Sequence, residues 1–294
     1  IQRAVEEAQL MAGCRIHSAF VGVAGSHIRS LNSHGIVAIR DREVSPADLE
    51  RVLDAAQAVA IPADQRVLHT LAQDYVIDNQ EGVREPLGMS GVRLEAKVHV
   101  VTCAVNAAQN IEKCVRRCGL EVDDIILEQL ASAYSVLTDD EKELGVCLVD
   151  IGGGTTKISI FYDGVLCFTS MVPFGGNVIT KDIKEGCSIT AKDAESMKLQ
   201  FGQAIADFAP ENKVVTIQRN GWEPKQMSFK SLAHIIQARM EEIVVHFFYQ
   251  IRKSGYADKL GAGIVITGGT SLLPNLSQLI KFHTGYDVRI GKPN

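Results

Sequence analysis

The sequence predicts an α/β protein of two lobes, each carrying an α+β insert, and three observations carry the prediction. The first is VCLVDIGGGTTKISIF at 146–161, where an apolar strand delivers Asp150 to three glycines and two threonines and a second strand follows at once. The second is GIVITGGTSLLPNLSQL at 263–279, which runs strand, glycine pair, helix. The third is the alternation of Leu94, Ala96, Val98 and Val100 against Glu95, Lys97 and His99, a half-buried strand inside a stretch that holds no carboxylate pair, glycine loop or nucleophile. A chain of 294 residues is long enough for two cored lobes, and 46% hydrophobic with 22% charged residues is ordinary globular usage. The expected boundaries are 1–29 with 105–142 for the first core, 30–104 for its insert, 143–186 with 255–294 for the second core, and 187–254 for its insert.

Ile1, Val5, Ala8 and Ala12 form a helical stripe with no start signal and no initiator Met, so the chain is expected to be a truncated part of a longer one. Val21–Ala24 is a short strand closed by Gly25, and Ile36–Ile39 is the first strand of the insert. Ser45-Pro46 opens a helix with Leu49, Val52, Leu53, Ala56 and Val59 at three- and four-residue spacing, which Pro62 stops. The strands Arg66–Ile77 and Leu94–Cys103 complete the insert, whose lack of chemistry points to a docking surface. A helix from about Ala107 to Cys118 ends on Arg116, Arg117 and Gly119, followed by the strand Asp124–Leu127 and the helix Gln129–Leu137. Small Ala131, Ser132 and Ala133 suit either a tight helix contact or a helix crossing between lobes.

In the glycine hairpin, Ile158 and Ile160 alternate with Lys157 and Ser159, so the triple glycine joins two strands, and Asp163-Gly164 turns the second into Val165–Val172. Phe174-Gly175-Gly176-Asn177 breaks that strand and opens a helix, and Thr190 with Asp193 resembles a capping box ahead of Ala194–Phe201. Polar strand-and-turn sequence at Val214–Trp222 leads to a long helix, Ser228 to Ser254, striped by Leu232, Ile235, Ile236, Met240, Ile243, Phe247 and Ile251. Its other face carries Lys230, Arg239, Glu242 and Lys253, for which solvated surface is the default reading. Pro274 is expected to start the last helix.

These glycines have a chemical use. Without Cβ atoms, three in a row let main-chain N–H groups approach an anion, and Asp150 at the strand end can hold a hydrated Mg²⁺ against the same phosphates. A strand, glycine pair and helix N-terminus adds further N–H groups, so two such turns are expected to flank one cleft. A net charge of −5 argues against nucleic acid as a partner. No apolar run approaches the roughly 20 residues that span a bilayer. Seven cysteines without a CxxC pattern are expected to be reduced thiols of a cytoplasmic protein, and Cys114 with Cys118 lacks the neighbours of a zinc site.

On LVDIGGGTTKISIF (148–161), LEQLASAYSVL (127–137) and IVITGGTSLLPNLSQL (264–279), the chain resembles the actin-like ATPase superfamily, which includes actin, DnaK-type chaperones, MreB and sugar kinases and has a ribonuclease H-like core in each lobe. On residues 66–103 and on PFGGNVITKDI (173–183) it resembles, within that superfamily, the FtsA family of bacterial cell-division proteins. The resemblance implies that Gly152, Gly153, Gly154, Thr155 and Thr156 cradle the β- and γ-phosphates of ATP, with Asp150 linked through water to Mg²⁺. It implies that Gly268, Gly269 and Thr270 form the adenine and ribose platform, with Gly175, Gly176 and Asn177 near the cleft and Glu195 and Lys198 lining the adenosine pocket; a surface ion pair is the competing reading of the last two. Glu128 falls where relatives orient the attacking water, and a structural carboxylate competes with that role. Turnover is expected to be slow at most.

By the same resemblance the protein self-associates through 30–104, binds the C-terminal tail of the tubulin-like FtsZ on 187–254 through Lys230 and Arg239, and lies on the inner face of the cell membrane at the division site. The first phosphate hairpin of the superfamily and the C-terminal amphipathic membrane helix of the family are expected outside the 294 residues. The competing functions are an ATP-dependent small-molecule kinase of the same superfamily, for which Glu128 is the one candidate base, and a chaperone ATPase, which needs a separate peptide-binding domain.

Overall fold

The structure, a computed structural model, describes residues 1–219 and 222–293. The chain divides into two units, residues 1–131 with 165–168 and residues 132–164 with 169–294.

The first unit opens with α1 (Gln2–Ala12), β1 (Ser18–Val23), β2 (Arg29–Ala38), α2 (Pro46–Gln57), β3 (Gln65–Ile77), β4 (Gln80–Val83) and β5 (Arg93–Ala104). The strands β2-β5-β3-β4 form an antiparallel sheet in that order, with α2 packed on β2 and β5. β2 is ten residues long where four were expected, because pairing makes the strand where hydrophobicity does not. Every residue from Arg29 to Ala38 has a partner on β5, including the polar run Asn32 to His34. α2 starts on a full capping box: the Ser45 hydroxyl accepts from the Asp48 N–H at 3.3 Å and the Asp48 carboxylate accepts from the Ser45 N–H at 3.1 Å. It ends at Gln57, short of Pro62, where the Val59 N–H turns back onto the Gln57 carbonyl at 2.6 Å; Val59 is therefore outside the helix.

Val52, Ala56, Leu94, Ala96, Val98 and Val100 are fully buried between α2 and the sheet. His99, expected on the solvent side of the alternation, is also buried, at 2% exposure. Its Nδ1–H donates to Asn32 Oδ1 at 2.7 Å, Nε2 has no partner, and burial pushes its pKa down to about 4. The unit continues through α3 (Val105–Arg117), β6 (Glu121–Leu127) and α4 (Glu128–Val136), with β6 parallel to β1. Val23, Cys103, Ala108 and Ile125 form its small core.

The second unit takes in α4 from Ser132 and continues with a helix that sequence reading missed, α5 (Asp139–Leu144), although Thr138 and Glu141 form its capping box. β7 (Val146–Ile151), β8 (Thr156–Tyr162) and β9 (Val165–Val172) follow, the last two joined through Asp163 and Gly164, both at positive φ as in a type I′ turn. Next come α6 (Gly176–Cys187), α7 (Ala191–Phe201), β10 (Val214–Arg219), β11 (Trp222–Ser228), α8 (Phe229–Lys253), β12 (Ile264–Thr267), α9 (Leu276–Thr284) and β13 (Val288–Ile290). The expected turn within 214–222 falls on residues 220–221, outside the described residues. The main sheet has the order β13-β12-β7-β8-β9, parallel from β13 through β7 and antiparallel between β7 and β8. α8 runs the length expected, capped by Ser228, and buries Leu232, Ile236, Met240, Ile243, Phe247 and Ile251.

Lys157 and Ser159, which alternate with Ile158 and Ile160, are buried like them, at 7% and 1%, because β8 lies inside the sheet and α5 and α8 pack on it. One expectation fails here: Pro274 does not start a helix. A 3₁₀ turn at Gly269–Leu272 follows the glycine pair, and α9 begins only after Asn275, which takes a left-handed conformation (φ 64°). The N-terminus of α9 therefore does not follow directly on Gly268 and Gly269.

Candidate functional site

Asp150 and Ile151 end β7, and the loop 152–155 closes through the Gly152 N–H, which donates to the Thr155 carbonyl at 3.0 Å. The loop's carbonyl edge is taken up by the protein. Gly152 O accepts from the Gly176 N–H at 2.9 Å and from the Thr270 hydroxyl at 3.1 Å, and Gly153 O accepts from the Asn177 N–H at 2.8 Å. Thus the first amides of α6 hold the hairpin. Among the described residues no main-chain acceptor reaches the N–H groups of Gly153, Gly154 and Thr155 outside the regular strands, and both glycines are exposed. Successive uncommitted amides on a glycine turn are suited to an anion.

The second glycine turn lies against the first. A Cβ on Gly268 (φ 86°) would fall 2.5 Å from Asp150 Oδ1, and one on Gly175 would fall 2.3 Å from Gly152 O. The two turns therefore abut, instead of flanking a gap, and the open space is beside them. It is a cavity of about 190 Å³ lined by Gly269, Thr270, Lys198 and the apolar Ile179, Leu199, Leu272, Leu273 and Pro274. That is below the roughly 300 Å³ at the small end of complete ligand sites, so it suits one part of a larger ligand, such as an aromatic base.

Glu195 and Lys198 are more than a surface pair. Lys198 Nζ lies 2.8 Å from Glu195, donates to the Thr180 hydroxyl at 2.9 Å and to the Gly176 carbonyl at 3.1 Å, and its side chain is 11% exposed. The Thr180 hydroxyl in turn donates to the Glu195 carboxylate. Burial alone would raise the Glu195 pKa, but the hydrogen bonds from Lys198 and Thr180 and the lysine's charge hold it below the ordinary carboxylate range. This network ties α7 to the start of α6, where the hairpin is held.

Other expected site residues have different surroundings. Thr156 is fully buried and its hydroxyl donates to the Phe174 carbonyl at 2.9 Å, so it fastens the hairpin to the segment before α6 and presents no hydroxyl to a phosphate. Asp150 Oδ2 lies 3.4 Å from Lys157 Nζ and accepts from the Ser132 hydroxyl at 3.4 Å. The carboxylate expected to hold hydrated Mg²⁺ thus has an ammonium beside it. Glu128 opens α4 in the first unit, against Gly22. Arg239 is bidentate to Asp182 and also bonds Glu242, and Lys230 pairs with Glu211 at 3.0 Å, so neither cation of α8 is an uncompensated charge. Thr180, Ile179, Leu199 and Leu272 to Pro274 were missed. Leu272-Leu273-Pro274 could have been found as an apolar run after the glycine pair; Thr180, one turn beyond Gly176, has no signal in the sequence alone.

Tested against a nucleotide, the residues fit: open glycine amides for phosphate, and an adjoining apolar recess for a base. Tested against Mg²⁺ they fit less well, since Asp150 is paired and, among the described residues, no group of three or more His, Cys, Asp or Glu could hold a metal ion.

Comparison with known proteins adds what geometry cannot. A family model described as "Cell division protein FtsA" matches residues 147–294, and one described as "SHS2 domain inserted in FTSA" matches 25–102. Over 294 residues the chain is 64% identical to cell division protein FtsA of Pseudomonas aeruginosa, covering all of this chain and 70% of that protein. It is 41% identical over 303 residues to FtsA of Escherichia coli K12, covering all of this chain and 72% of the relative. Among solved structures, a PilM-PilN type IV pilus biogenesis complex superimposes with a TM-score of 0.67 at 14% identity, over 98% of this chain and 73% of that one. MreB5 of Spiroplasma citri bound to ADP gives 0.51 at 18% identity, over 64% and 61%. At these identities the structural likeness shows the fold alone, and the fold is that of the actin-like ATPases.

Proposed function

The chain belongs to the FtsA family of cell-division proteins, and from that premise we propose that it binds ATP in its second unit, self-associates in the nucleotide-bound state, and tethers FtsZ filaments to the inner face of the cell membrane at the division site. The supporting observation is the contact between the two glycine turns. Thr270 and Gly176 both bond Gly152 O, leaving the exposed Gly153 and Gly154 for phosphate and the recess at Gly269 and Lys198 for the adenosine. Lys198 and Glu195 keep the recess in shape by bonding α6 to α7, and Thr180 sets the lysine's position. Bound ATP supplies the phosphate charge that fills the open amides; the residues assigned here hold and orient it. The insert in 25–102 is the self-association surface.

The FtsZ C-terminal tail docks on α8. An acidic tail competes with Glu211 for Lys230 easily, since an exposed pair is worth only about 0–1 kcal/mol. Arg239 is harder to take from Asp182, so it orients the face by holding α8 to α6. No helix among the described residues is long and apolar enough to cross a membrane. The test is co-sedimentation of the purified protein with FtsZ and vesicles of anionic phospholipid, with and without ATP. ATP-dependent recruitment of FtsZ to the vesicle pellet is expected, weakened by Lys230→Glu. A protein that stays in the supernatant whatever the nucleotide overturns the tether.

A further inference from the structure

We propose that Lys157 is a resident countercharge of the nucleotide site: a fixed cation that neutralises Asp150 where a divalent ion would otherwise do so, making nucleotide binding by this protein nearly independent of Mg²⁺. This rests on the nucleotide reading above and adds to it a residue that nothing in the sequence pattern marked as functional.

Asp150 and Lys157 are directly opposite in the β7–β8 register, so their side chains share one face of the hairpin that carries the glycine loop. Nζ lies 3.4 Å from Oδ2, and the two residues are buried at 7% and 8% exposure. The Ser132 hydroxyl also reaches Oδ2, and Oδ1 lies against Gly268, close enough that a Cβ there would be 2.5 Å away. Both carboxylate oxygens are therefore enclosed by protein.

A hydrated dication is bound through one or two available carboxylates, and it is repelled by an ammonium a few ångströms away in a low-dielectric setting. Removing a carboxylate and an ammonium from water is costly, and such a pair is weak support for stability. Its position is the informative part. Asp150 is two residues before Gly152, whose carbonyl joins both glycine turns, so the ammonium cancels the carboxylate's charge at the strand end that leads into the open amides of Gly153 to Thr155. Without Lys157, the enclosed carboxylate would oppose an incoming phosphate unless a metal ion screened it.

Equilibrium titration of a fluorescent ATP analogue, in EDTA and again in excess Mg²⁺, gives the ratio of two dissociation constants. For the wild-type protein the ratio is expected to stay below about threefold. Lys157→Met strips the carboxylate of its partner and is expected to raise the ratio above about tenfold, by loss of affinity in EDTA. The double variant Asp150→Asn with Lys157→Met removes both charges and should return to a low ratio. A wild-type ratio above about tenfold, which needs no variant to fold, overturns the countercharge and leaves nucleotide binding standing. A Lys157→Met ratio equal to the wild type also overturns it. If the wild type binds in neither buffer, the nucleotide reading fails and this inference with it.

Discussion

Gly35 in the insert and Gly154 in the hairpin are both glycines without a positive φ, and they are glycines for opposite reasons. At Gly35 a Cβ would lie 2.2 Å from the Val52 carbonyl and 2.6 Å from the Ala56 nitrogen, so α2 can approach β2 only because the side chain is missing. At Gly154, and likewise at Gly269, nothing lies within 4 Å of where a Cβ would be. One glycine is filled by the fold; the other two are left open by it. Neither packing nor backbone strain explains an open glycine, whereas the close approach of the proposed nucleotide would. The rest of the two regions follows this division, with the insert closed on itself by α2 and the second unit carrying exposed amides.

The largest effect expected from breaking this contrast is Gly35→Ala. The obstructing atoms are main chain, so α2 has to move off the sheet, and the loss should be about 3 kcal/mol or more, at the upper end for overpacking. Urea unfolding would measure it; a loss below about 1 kcal/mol would mean that the helix–sheet contact is looser than drawn.

Two polar groups, one in each region, give a second comparison. In the insert, His99 keeps one hydrogen bond and stays neutral. Its folded pKa is lowered from 6.5 to about 4, so between those values the unfolded chain binds the extra proton and stability falls as pH falls. The full effect is about 3 kcal/mol, at 1.36 kcal/mol per pKa unit, present above pH 6.5 and gone near pH 4. Unfolding measured at pH 7.5 and pH 5 should show a slope that His99→Leu flattens; Asn32, being exposed, can bond water in the variant. An unchanged slope would rule out a neutral buried imidazole.

Among the described residues, the second unit also leaves a buried hydroxyl unpartnered, at Ser159, but it closes a polar pair at its sheet end. Arg289 on β13 bonds the Glu141 carboxylate and the Val136 carbonyl, joining the end of the sheet to α5. The hydrogen bonds from Arg289 outweigh burial and hold Glu141 below its ordinary value of 4.5. A depressed carboxylate stabilises above the unfolded pKa, and that contribution is lost as pH falls below 4.5 through the folded value. Since Arg289 is 41% exposed, solvent screening limits the pair, and Glu141→Gln should cost about 1 kcal/mol at pH 7. The difference from wild type should narrow in thermal melts below pH 4.5.

What the sequence made legible were the elements whose cause is local. The glycine hairpin, the Asp163-Gly164 turn and the striped α8 follow from dihedral freedom and periodicity. β2 was expected to be short because its polar residues are a strand only by virtue of β5, and the burial of Lys157 has no signal in the alternation, which cannot see the helices packed on β8. The site was legible as two motifs, while their direct contact through Thr270, the bonding of Lys198 to Gly176, and the pairing of Arg239 with Asp182 link residues far apart in the chain. Such contacts have no trace in one sequence.

The smallest effect on stability is expected at Gly154→Ala, and it is the sharpest test of the contrast. With open space around the new methyl group and no positive φ to strain, unfolding free energy should move by no more than about 0.5 kcal/mol. If the amides of Gly153 to Thr155 receive a phosphate, the same methyl group stands where the ligand approaches, and affinity for an ATP analogue should fall at least about tenfold. The Gly35 substitution should do the reverse, weakening the insert while leaving nucleotide affinity at the folded protein unchanged. Equal loss of stability from both would erase the distinction between a glycine the fold needs and one a ligand needs. A stable Gly154→Ala protein with undiminished affinity would leave the hairpin without its phosphate.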